Sequence, residues 1–492
     1  MRNYRLVFVS LLLSLVTLSA IAQENISLQG CRRGTPRPVH LRRGGSQGRT
    51  PGGDYYHGER HQLTVLVAFN DRSFTDDEVA TMEKWDKIFN AENYIEGSFK
   101  GSVHDYFLAQ SYGEFNIVFD LAYVQVNGNA KKYASTEEHD ENSQYLISDI
   151  VDILKTRDID WGLYDWNGDG YINQLLVVYP GHGMNDTHGT DLIWPHQWWM
   201  SEHLKDLQED VHCDPIPVSA GDNNYLVDCY CAINELGQYE NESTFGILCH
   251  EYSHCFGFPD FYYGTGTTTL GEWDLMDYAL YSCNGFLPCG YSAHERWLMG
   301  WLTPIELTET TTITDMPALA EEGRAFLIRN DGCESEYYIV ENRQPIGWDA
   351  SLPGSGILVF HIDFDPSIWI STTTFTNSFS RKRYELFHAN AMNSVYFNAG
   401  WPYPYQENDS LTNTSTPAAT LNHENIDGTT FMSKPITNMA VTGGLASFDF
   451  AVTNTTGMNE LTTGAAHQLL YRIGRIDIVR DAKGTVRKII RK

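Results

Sequence analysis

The segment from His250 to His254, which reads H-E-Y-S-H, constrains the fold more than any other feature of the chain. Histidines four positions apart lie on one face of an α-helix, so both imidazoles can reach a single metal ion only if this stretch is helical. Ser243 or Thr244 can cap the start of such a helix, and Gly257 permits a sharp turn after its end. We therefore predict a helix from one of these capping residues to Phe256, with a metal-binding face.

Two carboxylates complete the motif. Glu251 lies beside the predicted ion, where it can act as the general base for an attacking water. Asp260, three residues after Gly257, can fold back as a third ligand. With His250, His254 and Asp260 as ligands, a fourth coordination position stays open, which is typical of catalytic zinc rather than structural zinc.

Two downstream residues are candidates for supporting roles. Met276 can form an apolar floor beneath the zinc, and Tyr278 can reach toward the oxyanion of a substrate. A second H-E pair, His294-Glu295, lacks the later histidine because Leu298 stands in its place. The sequence therefore predicts a single zinc site, with Glu251 and Tyr278 as catalytic residues.

Strands and helices alternate in the part of the chain that contains this motif. Apolar periodicity predicts strands over 62–69, 114–126, 174–179 and 225–233, and helices over 75–89 (capped by Thr75), 102–112 and 139–155. β-rich runs follow over 325–329, 337–341, 356–362 and 446–452, without a long helical period. We predict an α/β (α+β) catalytic domain over 58–305 and an all-β, sandwich-like domain over 306–453.

The two ends of the chain predict export and processing. Arg2 and Arg5 precede an apolar run over 6–18 and small residues at 20 and 22, which is typical of a secretory signal peptide cleaved before Gln23. We expect residues 1–22 to be this signal, with no membrane span after its removal. Residues 23–57, rich in Gly, Pro and Arg, are predicted to be a pro-segment, and 454–492 a linker and a basic tail.

The charge balance excludes some partners. The chain has 34 basic and 63 acidic residues, which gives a net charge of −29. A nucleic-acid-binding protein needs a basic face that releases counterions from phosphates, and an anionic membrane surface attracts basic segments. We therefore expect protein or peptide partners rather than nucleic acid or membranes, and a monomeric protein.

Nine cysteines accompany the predicted export. Eight lie between 213 and 333, and in an oxidising compartment they favour disulfides whose pairing the sequence leaves open. Cys31 stands alone before Arg32 and Arg33, whose charges favour its thiolate. One hypothesis is that Cys31 occupies the open zinc position and keeps a precursor latent. The alternatives are a disulfide with another cysteine or a thiol without function.

The segment from Asp165 to Tyr171 resembles the front of a calcium-binding loop. Asp165, Asn167 and Asp169 offer oxygens at positions 1, 3 and 5, and Tyr171 offers its carbonyl at position 7. Leu176 stands where a full EF-hand has glutamate, so a distant carboxylate would have to complete the shell. The alternative is a polar turn capped by its own side chains. We expect Ca²⁺ here as a structural ion.

The run from His250 to Asp260, H-E-Y-S-H-C-F-G-F-P-D, resembles the motif of secreted zinc metallopeptidases of the immune inhibitor A type, which are metzincin-like. Trp273–Met276 is similar to the family's Met-turn segment, and Gly300-Trp301 to the close of its catalytic domain. The resemblance extends over about residues 60–452. It implies a metzincin-like catalytic fold, a zinc cofactor and cleavage of peptide bonds.

The function predicted from the sequence is a secreted zinc endopeptidase acting on extracellular proteins, with Glu251 as general base. One alternative is a calcium-dependent secreted adhesin or carbohydrate-binding protein with a vestigial peptidase domain. A further alternative, deacetylation or ester hydrolysis, uses similar zinc chemistry. Replacing Glu251 separates the first two classes, since an adhesin would keep its activity and a peptidase would lose it.

Overall fold

The structure is a computed structural model. It describes residues 54–134, 142–187, 191–202, 214–239, 241–263, 267–369, 375–392 and 394–452, and the strands 467–473, 476–481 and 486–490. The predicted signal peptide, most of the predicted pro-segment with Cys31, and Cys213 lie outside the described residues.

A five-stranded mixed sheet organises the first part of the molecule. Its strands are β1 (Gly58–Ala68), β2 (Phe115–Gln125), β3 (Leu175–His182), β4 (His196–Trp199) and β7 (Cys229–Leu236), and a hairpin of β5 (Ile216–Ala220) and β6 (Asn223–Val227) lies beside them. The order is β2-β1-β3-β7-β4, with β4 antiparallel to β7 and the other neighbours parallel. The sheet thus ends in one short antiparallel edge strand, β4.

Helices cover both faces of this sheet. They are α1 (Glu78–Asn90), α2 (Val103–Gln110), α3 (Ala130–Tyr133), α4 (Ser143–Leu154), α5 (Met184–Thr187), α6 (Phe245–Cys255) and α7 (Ala293–Leu298). Successive strand residues point to opposite faces, so Val65 packs in the cluster that contains α4, and Leu66 in the cluster that contains α6. All side chains of α6 are buried, which fixes its position relative to the sheet.

Most predicted elements of this part are confirmed, and two details differ. The prediction that Thr75 caps the first helix is wrong, because the Asp77 side chain accepts the Ala80 N–H. Aspartate caps at least as well as threonine and lies directly before the helical residues. The strand predicted over 225–233 is two strands, broken at Asp228, whose carboxylate accepts the backbone N–H of Ser201 at 2.8 Å.

The chain joins the core before the predicted boundary at 58. Residues Asp54–Tyr56 form a short 3₁₀ turn, and Tyr56 is buried. Its ring packs edge-on against Phe256, and its carbonyl accepts the indole N–H of Trp301 at 2.9 Å. The residues just before β1 therefore belong to the folded part of the molecule.

The second part contains two further sheets. One has the order β13-β12-β11-β10-β8 and the other β14-β15-β9. The strands are β8 (Ile305–Glu306), β9 (Thr311–Met316), β10 (Phe326–Asn330), β11 (Cys333–Arg343), β12 (Gly356–Asp363), β13 (Tyr384–Leu386), β14 (Ile436–Thr442) and β15 (Leu445–Phe450), and the short helices α8 (Leu319–Glu322) and α9 (Pro366–Trp369) lie between them. The predicted β-rich runs are thereby confirmed.

The larger of these sheets contacts both parts of the molecule. Tyr338 and Val340 of β11 share a core with β14 and β15, whereas Tyr337 and Ile339 belong to the cluster that contains α6. One face of this sheet thus closes the catalytic core. A β-sandwich domain that is separate from the catalytic part stays a prediction. We call β8 and β10–β13 the second sheet.

Near the C-terminus, strands β16 (His467–Ile473), β17 (Ile476–Asp481) and β18 (Val486–Ile490) form an antiparallel meander within the predicted basic tail. The described residues as a whole form a mixed α/β structure with several sheets and few helices. Within them, no helix combines the length and the apolar composition needed to cross a bilayer.

Candidate metal centre

Helix α6 and the loop after it bring three potential ligands together. The Nε2 atoms of His250 and His254 lie 3.2 Å and 3.4 Å from the Asp260 Oδ1 atom. One ligand atom from each of the three residues lies within 4.8 Å of the others, and all three side chains are buried. The i, i+4 spacing on the helix thus produces the convergence that the sequence predicted.

The outer nitrogens of the two histidines are held by backbone carbonyls. His250 Nδ1 lies 2.8 Å from the Leu275 carbonyl, and His254 Nδ1 lies 2.7 Å from the Phe258 carbonyl. A carbonyl only accepts, so each Nδ1 carries a proton and each Nε2 is the ring nitrogen that faces the centre. Apart from the nearby carboxylates of Asp260 and Glu251, neither Nε2 atom has a polar partner in the described part of the chain. Buried imidazole nitrogens in this state fit a metal ion.

Asp260 supplies negative charge to the same point. Burial alone would raise its pKa, but the neighbouring His254 and His250 outweigh burial and hold the pKa of Asp260 below its usual range. The carboxyl group is therefore ionised at neutral pH, as a ligand must be. The turn predicted at Gly257 brings Asp260 back to the helix: Gly257 has a φ of +109°, which glycine adopts readily.

Glu251 lies on α6, and its side chain contacts the edge of the first sheet. Its Oε2 atom accepts the backbone N–H of Gln197 in β4 at 3.1 Å and lies 3.9 Å from His254 Nε2. The side chain is fully buried. A carboxylate held beside the ligand nitrogens is positioned to accept a proton from a water at the centre. The contact with Gln197 joins residues 54 positions apart, and no local sequence signal predicts it.

The segment that contains Met276 is hydrogen-bonded to residues of the metal centre. The Met276 side chain is fully buried, and its carbonyl accepts the Phe261 N–H at 3.0 Å. Leu275, whose carbonyl holds His250, directly precedes it. The segment therefore anchors both the first ligand and the loop of the third. The role of Met276 as an apolar floor stays a prediction.

Tyr278 lies two residues after Met276. It is half-buried, and its ring centroid is 5.3 Å from that of Tyr281. Its proposed contact with a substrate oxyanion stays a prediction.

The loop from Asp165 to Tyr171 uses its side-chain oxygens on its own backbone. The Asp165 carboxylate accepts the N–H groups of Asp169 at 3.1 Å and Gly170 at 3.0 Å. Asp169 Oδ1 accepts the Tyr171 N–H at 2.9 Å, and Asn167 Nδ2 donates to Asp169 Oδ2 at 3.1 Å. These bonds agree with the alternative of a self-capped polar turn, and calcium binding by the loop stays a prediction.

The described cysteines are free thiols. They are Cys229, Cys231, Cys249, Cys255, Cys283, Cys289 and Cys333. Burial raises the pKa of Cys231, Cys249, Cys255 and Cys289. Buried, protonated thiols of this kind act as small apolar groups in the core. The predicted use of Cys31 as a latency switch lies outside the described residues.

Comparisons with known proteins agree with this geometry. Residues 57–297 match the family model described as immune inhibitor A peptidase M6, catalytic domain. The protein named immune inhibitor A from Bacillus thuringiensis subsp. alesti is 25% identical over 293 residues, which cover 49% of this chain and 40% of that protein. The chain thus matches less than half the length of this relative. The family match contains the whole centre described above.

Proposed function

Residues 57–297 of this chain are a catalytic domain of the immune inhibitor A peptidase family, and from this premise we propose that the protein is a secreted, zinc-dependent endopeptidase. It hydrolyses peptide bonds of extracellular proteins. The main support for the proposal is one observation. The Nε2 atoms of two histidines and the carboxylate of Asp260 converge at one point, beside the buried carboxylate of Glu251.

The residues that would hold zinc are His250, His254 and Asp260. Two nitrogens and one carboxylate oxygen are the donor set of catalytic zinc sites, and the buried Nε2 atoms lack any other partner among the described residues. Zinc bound there would polarise the scissile carbonyl and lower the pKa of water. The backbone bonds to both Nδ1 atoms keep the two rings in the required tautomer.

Glu251 would carry the proton. Its Oε2 atom is held by the Gln197 N–H and by its place on α6, so the carboxylate needs little reorganisation to accept a proton from the attacking water. The same carboxylate would then deliver that proton to the nitrogen of the leaving amine. Tyr278 would donate a hydrogen bond to the oxyanion that develops on the substrate.

The first sheet offers a place for the substrate backbone. Strand β4 is the last strand of the sheet, and its residue Gln197 contacts Glu251. Extended peptides bind by adding a strand to a sheet edge. A peptide bound along β4 would pass beside Glu251, which favours peptide substrates over small esters.

Export and latency belong to the same proposal. The signal-like segment 1–22 would direct the chain out of the cell, and Cys31 in the segment before Asp54 would bind the metal until processing removes it. The acidic balance of the chain supports protein substrates rather than nucleic acid.

The direct test uses protein from which the pro-segment has been removed, so that the proposed latency does not mask activity. It compares the wild type with Glu251→Gln in cleavage of unfolded casein, with bound metals counted in both. We expect about one zinc per chain in each protein and proteolysis only in the wild type. A loss of activity by about 10²- to 10⁴-fold is typical when a general base is removed. Equal proteolysis by both proteins, or zinc in neither, would contradict the proposal. Zinc in both proteins with no proteolysis in either would point to a narrow specificity, a binding role or a remaining activation step.

A further inference from the structure

A cavity lies between the loop that follows the third ligand and the second sheet. Its volume is about 310 Å³, at the lower end of the range of small-molecule pockets. Tyr263 and Thr267–Thr269 come from the loop, and Phe379, Lys382, Glu385 and Trp401 come from the second part of the chain. We call this space the β13 cavity, because Glu385 and Leu386 of β13 form part of its wall.

The β13 cavity is tied to the metal centre by hydrogen bonds. Phe261 directly follows the third ligand, and its carbonyl accepts the Asn377 Nδ2–H at 2.8 Å and the Thr269 hydroxyl at 2.6 Å. Asn377 is fully buried and also donates to the Tyr384 carbonyl of β13 at 2.6 Å. One side chain thus connects the wall of the cavity to the loop of the metal ligand.

The distance from the metal centre is short. Tyr263 is three residues beyond Asp260, so its Cα atom is at most about 11 Å from that of the ligand. An extended peptide advances about 3.3 Å per residue. The cavity wall at Tyr263 therefore lies within the span of about three residues of an extended peptide from the third ligand.

The walls of the cavity are aromatic. Phe379 is 74% exposed, although its ring lies on Tyr263 with a centroid distance of 4.5 Å. On the other side, His388 and Trp401 stack at 3.8 Å with an interplanar angle of 3°. Burial lowers the pKa of His388 to about 4, so this ring is neutral at pH 7. These faces offer ring-on-ring contacts to a large apolar group.

The charges in the cavity are already paired. Lys382 Nζ lies 2.9 Å from Glu385 Oε2, and Glu385 Oε1 lies 3.3 Å from His361 Nδ1. The other nitrogen of His361 lies 2.8 Å from Glu336. An acidic ligand would have to compete with Glu385 for Lys382, and a basic ligand would have to compete with Lys382 for Glu385. The cavity therefore favours a neutral group.

We propose that the β13 cavity binds a bulky aromatic side chain of the peptide substrate, and that the second sheet thereby determines cleavage specificity. The proposal rests on the proposed peptidase function. It assigns to Phe379 a role in recognising the substrate, and it predicts that catalytic machinery and specificity come from different parts of the chain.

The test uses the full chain with Cys31→Ala, so that the proposed latency does not mask activity, and this protein serves as the wild type below. It is given a set of peptides with one sequence, in which one position at a time is Phe, Leu, Ala, Glu or Lys. We expect wild-type kcat/KM to be highest for Phe at one position near the cleaved bond. Phe379→Ala should lower kcat/KM for the Phe peptide by about fivefold to tenfold, the size of one aromatic contact, and leave the Ala peptide unchanged within about twofold.

The matched control is Ile426→Ala, since Ile426 is also an exposed apolar residue of the second part, with 68% of its surface exposed. It should leave the ranking of the peptides unchanged. A uniform loss for all peptides in Phe379→Ala, or a Glu or Lys peptide ranked first by the wild type, would overturn the proposal.

A binding measurement separates this proposal from the peptidase function. Saturation-transfer NMR with N-acetyl-phenylalaninamide is applied to the full-length Glu251→Gln protein, with and without Phe379→Ala. We expect a signal that disappears in the double variant. If the wild type cleaves no peptide but this pattern holds, the peptidase function fails and the aromatic site stands. If no signal is seen in Glu251→Gln, the aromatic site is overturned, whatever the activity.

Discussion

The metal centre and the loop from Asp165 to Tyr171 are both short polar motifs that stand out in the sequence, but their polar atoms differ in what they have left to bind. In the metal centre, the Nε2 atoms of His250 and His254 are buried and form no hydrogen bond with any described residue. In the loop, the Asp165 carboxylate already accepts two backbone N–H groups. In both motifs, the residue types and their spacing are suitable for binding a metal ion.

The difference shows which motif depends on a bound ion. Leaving a buried polar atom without a partner costs about 1–3 kcal/mol, so a fold that buries two such atoms at one point has a reason to hold a ligand there. A loop whose oxygens are satisfied by its own backbone has no such need. We therefore expect loss of metal to affect the two regions very differently.

The largest expected effect is at the metal centre. His254→Ala should remove bound zinc and lower proteolysis by about 10³-fold or more, because several kcal/mol of transition-state stabilisation depend on the metal. Asp165→Asn is the matched control at the other motif and should keep both zinc and activity. Metal analysis and casein cleavage measure both variants. Zinc lost from Asp165→Asn, or kept in His254→Ala, would contradict the comparison.

A third buried histidine, His361, differs from the two in the metal centre, because both of its ring nitrogens contact carboxylates that do not belong to a metal site. Burial opposes its charge, but its bonds to Glu336 and Glu385 outweigh burial and raise the pKa of His361 to about 9. A pKa raised on folding stabilises the fold below pH 6.5, and this stabilisation is lost as pH rises through about 9. The full effect is roughly 3 kcal/mol.

Urea unfolding between pH 6 and pH 10 tests this expectation. The free energy of unfolding of the wild type should fall as pH rises through 9, whereas that of His361→Gln should be lower at pH 6 and change much less. If the two proteins show the same pH dependence, the imidazole of His361 is not held in its charged form.

Tyr278 tests whether the centre extends beyond the ligands and Glu251. Tyr278→Phe should keep zinc and the fold, and should lower kcat by about 10²-fold with little change in KM, because one oxyanion donor is lost. Steady-state kinetics with a single peptide gives both constants. An unchanged kcat would mean that Tyr278 only packs against Tyr281.

The smallest expected effect is at the calcium-like loop. In calcium-free buffer, Asp165→Asn should lower stability by about 2 kcal/mol, since a charged acceptor of two backbone bonds is lost. If the loop also binds Ca²⁺, as its sequence predicts, millimolar Ca²⁺ should raise the Tm of the wild type by a few degrees and leave Asp165→Asn unchanged. Equal Tm values of the wild type in calcium and in chelator would contradict calcium binding by the loop.

The sequence predicted the features of the site that depend on local spacing. Helix α6, the turn at Gly257 and the convergence of His250 with Asp260 follow from helix periodicity and from the conformational freedom of glycine. The contact of Glu251 with Gln197 did not follow, because it depends on where β4 lies in the sheet. The spacing of residues along the sequence predicts contacts within a helix, but it does not predict contacts between distant elements.

The fold shows the same limit. In the second part, composition predicts strands β10, β11, β12 and β15, but it does not predict β8, β9, β13 and β14. It also gives no sign that the second sheet closes the core around α6. That contact brings Tyr337 and Ile339 against residues of the first part of the chain, and alternation within β11 gives no sign of which partner each face meets. The β13 cavity could not be predicted for the same reason, because its walls come from segments more than a hundred residues apart.

X-ray absorption at the zinc edge, on full-length protein that carries Cys31→Ala, identifies the ligands of the proposed zinc directly. We expect one zinc coordinated only by nitrogen and oxygen at about 2.0–2.2 Å, with the scattering pattern of two imidazoles. His254→Ala should abolish this signal. Sulfur ligands at about 2.3 Å, or zinc without imidazole scattering, would show that the metal is held elsewhere and would contradict a zinc site at His250, His254 and Asp260.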